Sequence, residues 1–127
     1  MLPYLWISAG AVLGANLRYL TGRLMAQALG TGFPYGTFVV NVVGCFLAGL
    51  FGLLVAHRLV DRPEVVRQFM VIGFLGSLTT FSSFSYETLA LAQDGALARA
   101  AANVALSLTA GLGGVWLGEL LAVRLGL

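Results

Sequence analysis

The residues able to do chemistry gather in one run of the chain. Between Gly76 and Ser85 the sequence offers Ser77, Thr79, Thr80, Ser82 and Ser83, with Phe81 and Phe84 set three residues apart on one helical face. These groups supply hydroxyl donors, carbonyl acceptors and ring edges. An aromatic edge is electropositive because the ring quadrupole places its negative charge on the faces, so Phe81 and Phe84 could present edges to a small anion. Asn41 adds an amide donor, and Asn103 and Ser107, at i and i+4, extend a polar stripe on a later helix. A neutral, donor-rich track of this kind lowers the desolvation cost of an anion without the deep well that a buried arginine would make. Other chemistries lack parts. His57, the only histidine, sits in a polar loop, so nothing in the apolar stretches could hold a divalent metal through side chains. A nucleophilic Ser or Cys needs an activating base beside it, and none falls in those stretches. The sequence therefore argues against an enzyme.

The elements that position these residues are set by where charge is missing. Of the 127 residues, 59% are hydrophobic and only 9% are charged. Soluble domains carry about a quarter charged residues to cover a wet exterior, so this composition predicts a membrane protein. Residues 2–17, 24–56, 68–86 and 100–118 contain no Asp, Glu, Lys or Arg. A bilayer core takes about 20 residues of apolar helix. The pattern predicts an all-α chain forming one four-helix transmembrane domain over residues 1–127, with spans near 3–28, 35–56, 67–92 and 96–122. The first span has no positively charged leader and its Arg18 follows the apolar run, the wrong order for a cleaved signal. Cys45 is the single cysteine, which excludes an internal disulfide and leaves it as a small packing residue.

The Gly76–Ser85 run would lie near the bilayer centre, and this predicts a third helix broken in its middle. Non-helical backbone at that depth is tolerated only inside protein or beside a cavity. Broken membrane helices turn freed carbonyls towards cations and N–H groups towards anions. The bland alternative is an unbroken helix whose Ser and Thr side chains bond back to the preceding turn.

Seven arginines and no lysine give a net charge of +2. Arginines at membrane edges snorkel to headgroups, so there is no nucleic-acid footprint. Arg18, Arg23 and Arg99 fall on one side of the predicted membrane, against Arg58, Arg62, Arg67 and Arg124 on the other. Arginine excess normally fixes orientation, and three against four hardly biases it. Two outcomes stay open: a weak single orientation, or dual topology with antiparallel pairing. Small residues at Gly10/Gly14, Gly44/Ala48/Gly52 and Gly114/Gly118 would let helices approach closely, within one subunit or between two. So small a bundle makes a conduit more plausible at a subunit interface. Arg18 and Glu87 are the charges nearest the interior, each either at a wet interface or at a vestibule mouth.

Three segments taken together carry a resemblance: Gly14-Ala15-Asn16-Leu17-Arg18-Tyr19, Gly36-Thr37-Phe38-Val39-Val40-Asn41-Val42-Val43-Gly44, and Gly73-Phe74-Leu75-Gly76-Ser77-Leu78-Thr79-Thr80-Phe81-Ser82-Ser83-Phe84. In order and spacing they resemble the CrcB/Fluc fluoride channel family over essentially the whole chain, and the third segment is the most specific. The resemblance implies an antiparallel, dual-topology homodimer in a bacterial inner membrane with two fluoride pathways. It also implies a structural sodium ion at the dimer centre, held by backbone carbonyls that match Gly76 and Thr79. The family's pathway phenylalanines match Phe81 and Phe84, its second-helix asparagine matches Asn41, and its fourth-helix polar track falls at Asn103 and Ser107. Ser82 and Ser83 occupy the hydroxyl pair between the phenylalanines. Ser77 departs from the pattern, standing where the family usually has a second glycine.

The resemblance implies passive fluoride efflux from the cytoplasm, relieving toxicity. A small dual-topology proton-coupled drug antiporter is the competing transporter. It requires an intramembrane carboxylate, and the first span has none. A lipid-organising assembly subunit would leave the 79–84 run unexplained.

Overall fold

The computed structural model describes residues 1–57 and 61–125. Arg58, counted above with the second loop, lies outside the described residues. All regular structure among the described residues is helical. α1 spans Leu2–Leu29 and α2 spans Tyr35–Ala56. α3 covers residues 63–78 in three pieces: Pro63–Val66, a π-helical Arg67–Leu75 and a last turn Gly76–Leu78. α4 spans Phe81–Gln93 and α5 spans Leu97–Arg124.

Local chemistry sets most of these boundaries. Pro3 and Pro63 stand in first turns, where a missing N–H costs nothing. α1 stops at Gly30, whose φ of 80° is the left-handed value glycine adopts freely. Gly95, at φ 77°, does the same after α4, and the Ala96 N–H reaches back to the Leu91 carbonyl at 2.8 Å.

Among the described residues, three segments are long and apolar enough to cross a membrane: Tyr35–Ala56, Pro63–Gln93 and Leu97–Arg124. α1 matches them in length at 28 residues, but Asn16, Arg18 and Arg23 make its second half more polar.

Packing runs through glycine. A Cβ on Gly10 would land on the Phe69 carbonyl, one on Gly14 on the Phe74 carbonyl and the Ser77 hydroxyl, and one on Gly73 on the Ile7 carbonyl. α1 and α3 therefore touch backbone to backbone, as membrane helices do when no hydrophobic drive separates them from lipid. On the other side Gly49 meets the Val115 carbonyl, Gly118 the Phe46 carbonyl, and Gly114 the Val42 carbonyl, which binds α2 to α5. Of the Gly44/Ala48/Gly52 series, Gly44 abuts the Thr79 methyl while Gly52 faces open space. A small core of Val40, Leu75 and Leu78, backed by Leu47 and Phe74, lies against the end of α3.

Two features depart from the sequence reading. The half of the third segment before Gly76 reads as ordinary helix, but Arg67–Leu75 winds in wider turns, with the Gly76 N–H reaching the Val71 carbonyl. Such turns concentrate at functional sites. This one lies where the α1 backbone presses on Phe69 and Gly73. The interruption is also narrower than the polar run: only Thr79 (φ −84°, ψ 156°) and Thr80 (φ −154°, ψ 114°) leave helical geometry.

Candidate functional site

The break is held open by its own hydroxyls and by a side chain from α2. The Thr80 N–H donates to Asn41 Oδ1 at 2.8 Å, and Asn41 Nδ2 donates to the Thr80 carbonyl at 3.1 Å. The asparagine thus takes the place of a neighbouring strand for one residue. Thr80 is 9% exposed, and its backbone groups would be costly there without partners. Its Oγ1 accepts the Ser83 N–H at 3.2 Å, so Thr80 is the N-cap that starts α4. The same Oγ1 lies 3.1 Å from both Ser82 Oγ and Ser83 Oγ, gathering three hydroxyls at the head of the helix.

On the other side of the break, the Thr79 N–H and hydroxyl both go to the Leu75 carbonyl at 3.0 Å. Because Asn41 takes the Thr80 N–H and Thr80 Oγ1 takes the Ser83 N–H, no hydrogen bond among the described residues ends on the carbonyls of Gly76 or Thr79. Gly76 is exposed and Thr79 half-buried. Unclaimed carbonyls at a broken membrane helix suit a hard monovalent cation, so these residues fit a sodium ion held by backbone oxygen. Among the described residues no group of three His, Cys, Asp or Glu could hold a metal.

Gly76 and Thr79 line a surface groove of about 450 Å³ together with Asn41, Phe81, Phe84 and Ser107. The two rings stand 5.7 Å apart between centroids, tilted by 39°. Phe81 is 80% exposed and projects from the subunit. From the groove a polar chain runs inwards. Ser107 Oγ donates to Asn103 Oδ1 at 3.4 Å, Asn103 Nδ2 to Thr88 Oγ1 at 2.8 Å, and Thr88 Oγ1 to the Phe84 carbonyl at 2.6 Å. Asn103 is 1% exposed, so this chain ties α5 to α4 where no water reaches.

A second cavity of about 340 Å³ lies beyond, between the end of α1, the start of α2 and the last turns of α4. There Thr37 Oγ1 donates to Glu87 Oε1 at 2.9 Å, while Glu87 Oε2 is buried without a partner. The Arg99 guanidinium fixes the 30–34 loop by donating to the Gly32 carbonyl at 2.7 Å.

The profile of the family described as CrcB-like protein, Camphor Resistance (CrcB), matches residues 5–119. The chain belongs to this family. A protein of Rhodospirillum rubrum is 47% identical over 123 residues, 96% of this chain and 95% of its own length. One of Acidobacterium capsulatum is 44% identical over 124 residues, 98% of each. A third, from Aeromonas salmonicida, is 45% identical over 126 residues, 98% of this chain and 99% of its own. All three bear the name fluoride-specific ion channel FluC, which is an ion channel and not an enzyme.

In this CrcB chain the structure gathers Asn41, Gly76, Thr79, Phe81, Phe84 and Ser107 around one groove. Ser82 and Ser83 sit at its edge through Thr80. Asn103 lies behind the groove, reached through Ser107. The two charges nearest the interior take different positions relative to these cavities. Glu87 lines the second cavity, whereas Arg18, half-buried on α1, lines neither. Asn41 spends an amide hydrogen on Thr80, leaving its second amide hydrogen for a ligand. Thr80, Thr37 and Thr88 do more than their sequence setting suggested. Thr80 is legible as a threonine standing just ahead of a helical stretch, the usual N-cap signal, and Thr37 stands one turn before Asn41. Nothing local pointed to Thr88.

Proposed function

We propose that this chain is the subunit of a fluoride-selective channel that lets fluoride leave the cytoplasm passively. The observation that carries this reading is the shared groove, which Phe81, Phe84, Asn41 and Ser107 line beside Gly76 and Thr79 at the break of a membrane helix. Fluoride is small and strongly hydrated, so a path must replace water with other donors. The Phe81 and Phe84 edges, the Ser82 and Ser83 hydroxyls, the Ser107 hydroxyl once its proton turns from Asn103, and the free amide hydrogen of Asn41 are such donors, and none carries a full charge that would trap the ion.

In this reading all four long segments, α1 included, cross a bacterial inner membrane as one domain. Two copies then pair antiparallel. The exposure of Phe81 and the groove open at the subunit surface support pairing, since such a groove closes into a conduit only against a second surface, and the near-balanced arginines support insertion in both orientations. The carbonyls of Gly76 and Thr79 from both copies would hold sodium at the shared axis. Bound there, sodium would supply a positive charge that offsets the carbonyl dipoles and fixes the two breaks against each other. Arg18 would stand towards a vestibule, and Glu87 with Thr37 would border the outer end of the hydroxyl path.

The test is efflux from liposomes holding the purified protein, followed with a fluoride-selective electrode. Fluoride should leave rapidly and chloride should stay. Equal release of chloride would sink the assignment.

A further inference from the structure

Gly76 has no side chain to hold it, and a Cβ placed there would find only the Val71 carbonyl, 3.8 Å away. The direction of its carbonyl is therefore set by its neighbours. Downstream, Asn41 clamps Thr80 to α2. Upstream, the last turn of α3 is only Gly76–Leu78, and one side chain in it reaches another helix through a hydrogen bond. Ser77 Oγ lies 3.0 Å from the Ala11 carbonyl of α1 and 3.1 Å from the Phe74 carbonyl one turn back. Its single proton is shared between an ordinary back-bond within the helix and a tether that closes 66 residues of chain. The tether has room because residue 14 is glycine: a Cβ there would overlap the Ser77 hydroxyl. Ser77 and Gly14 thus form a matched pair, with the hydroxyl filling the space that a side chain on α1 would take.

We propose that Ser77 is a positioning residue for the cation-binding carbonyls, its bond to Ala11 fixing the orientation of Gly76 and Thr79. It acts through the backbone and does not touch the ion. The inference rests on the reading of Gly76 and Thr79 as sodium ligands given above.

The test uses full-length protein carrying Ser77→Ala, with Thr109→Ala as a control. Thr109 back-bonds to Ala105 on an exposed face of α5, away from the break. Two quantities are read: the rise in melting temperature on titrating sodium without fluoride, and the sodium concentration giving half-maximal fluoride efflux. Losing one interhelical hydrogen bond should move both sodium midpoints upwards about three- to tenfold, while saturating sodium restores most of the melting temperature. Thr109→Ala should move neither. Unchanged sodium midpoints in Ser77→Ala, even with a lower melting temperature throughout, would overturn the proposal and make Ser77 a packing residue only. Wild-type protein that passes fluoride yet gains no stability from sodium would overturn the cation assignment and this proposal with it. Sodium-linked stability without any fluoride flux would sink the channel reading and leave the positioning role standing.

Discussion

Asn41 and Thr80 are joined twice, N–H to side-chain oxygen at 2.8 Å and amide nitrogen to carbonyl at 3.1 Å, across 39 residues of sequence. Through this pair a break in a membrane helix becomes affordable. The residue that leaves the helix keeps partners for both its N–H and its carbonyl, and the Thr80 side chain is free to start α4. The same pair withdraws the one N–H that could have satisfied the Gly76 carbonyl. Asn41 therefore both stabilises the break and keeps the Gly76 carbonyl open, while the Thr80 hydroxyl, by taking the Ser83 N–H, does the same for the Thr79 carbonyl.

Asn41→Ala should remove both bonds and leave two backbone groups of a buried residue unpaired, at about 1–3 kcal/mol each. Melting temperature should fall, and fluoride efflux should drop at least tenfold. Asn41→Asp keeps an acceptor for the Thr80 N–H and should lose less stability than Asn41→Ala. Wild-type stability in Asn41→Ala would show that the clamp is dispensable.

Glycine substitutions should separate by what a Cβ meets. At Gly10 it would strike the Phe69 carbonyl, part of a helix that cannot yield, whereas at Gly52 it meets nothing within 4 Å. Gly10→Ala should destabilise by about 1–3 kcal/mol, the usual scale of overpacking. Gly52→Ala should be neutral or gain about 0.5–1 kcal/mol in helix stability. Thermal unfolding in detergent, followed by the loss of monodisperse protein on a sizing column, compares the two directly.

Much of this was legible in the sequence, and the division follows the range of the interactions. Helix positions follow from where charge is absent, and the break follows from Gly76 and the crowd of hydroxyls, because both signals are local. Its width was not legible. Residues 81–85 look as irregular as 79–80, yet they form helix because Thr80 caps them. Asn41 was recognisable as a polar residue at membrane depth, but its use of an amide hydrogen on Thr80 depends on how α2 packs beside the break. The π-helical stretch left no trace in residue spacing, because it arises where two backbones meet at Gly10 and Gly73. Glu87 was recognisable as a charge near the interior, but its bond to Thr37 depends on how α4 packs against the start of α2.

Asn103 should couple measurably to Thr88. The bond is 2.8 Å long and fully buried on the asparagine side. Asn103→Ala and Thr88→Ala should each destabilise, and the double variant should cost less than their sum. Interhelical hydrogen bonds in membranes average about 0.6 kcal/mol and reach about 1.7 kcal/mol by such cycles. A coupling of zero would mean that the link from α5 to α4 is carried by apolar contacts instead. Thr109→Ala, paired with Asn103→Ala, supplies the uncoupled reference.

Phe81→Ile should abolish most fluoride efflux while leaving the fold intact. Phe81 is 80% exposed on the subunit, so its replacement opens no cavity in the core. Isoleucine retains apolar bulk for contact with lipid or a second copy but lacks the electropositive ring edge. Phe84 is half-buried and its carbonyl takes the Thr88 hydroxyl, a bond that Phe84→Ile preserves. Both variants should therefore keep wild-type melting temperatures to within a few degrees, with efflux reduced at least tenfold, about 1.4 kcal/mol in barrier height. The liposome assay and a melting curve on the same preparation separate lost transport from lost protein. Unchanged efflux in both variants would remove the rings from the path and leave the hydroxyls to carry the ion alone.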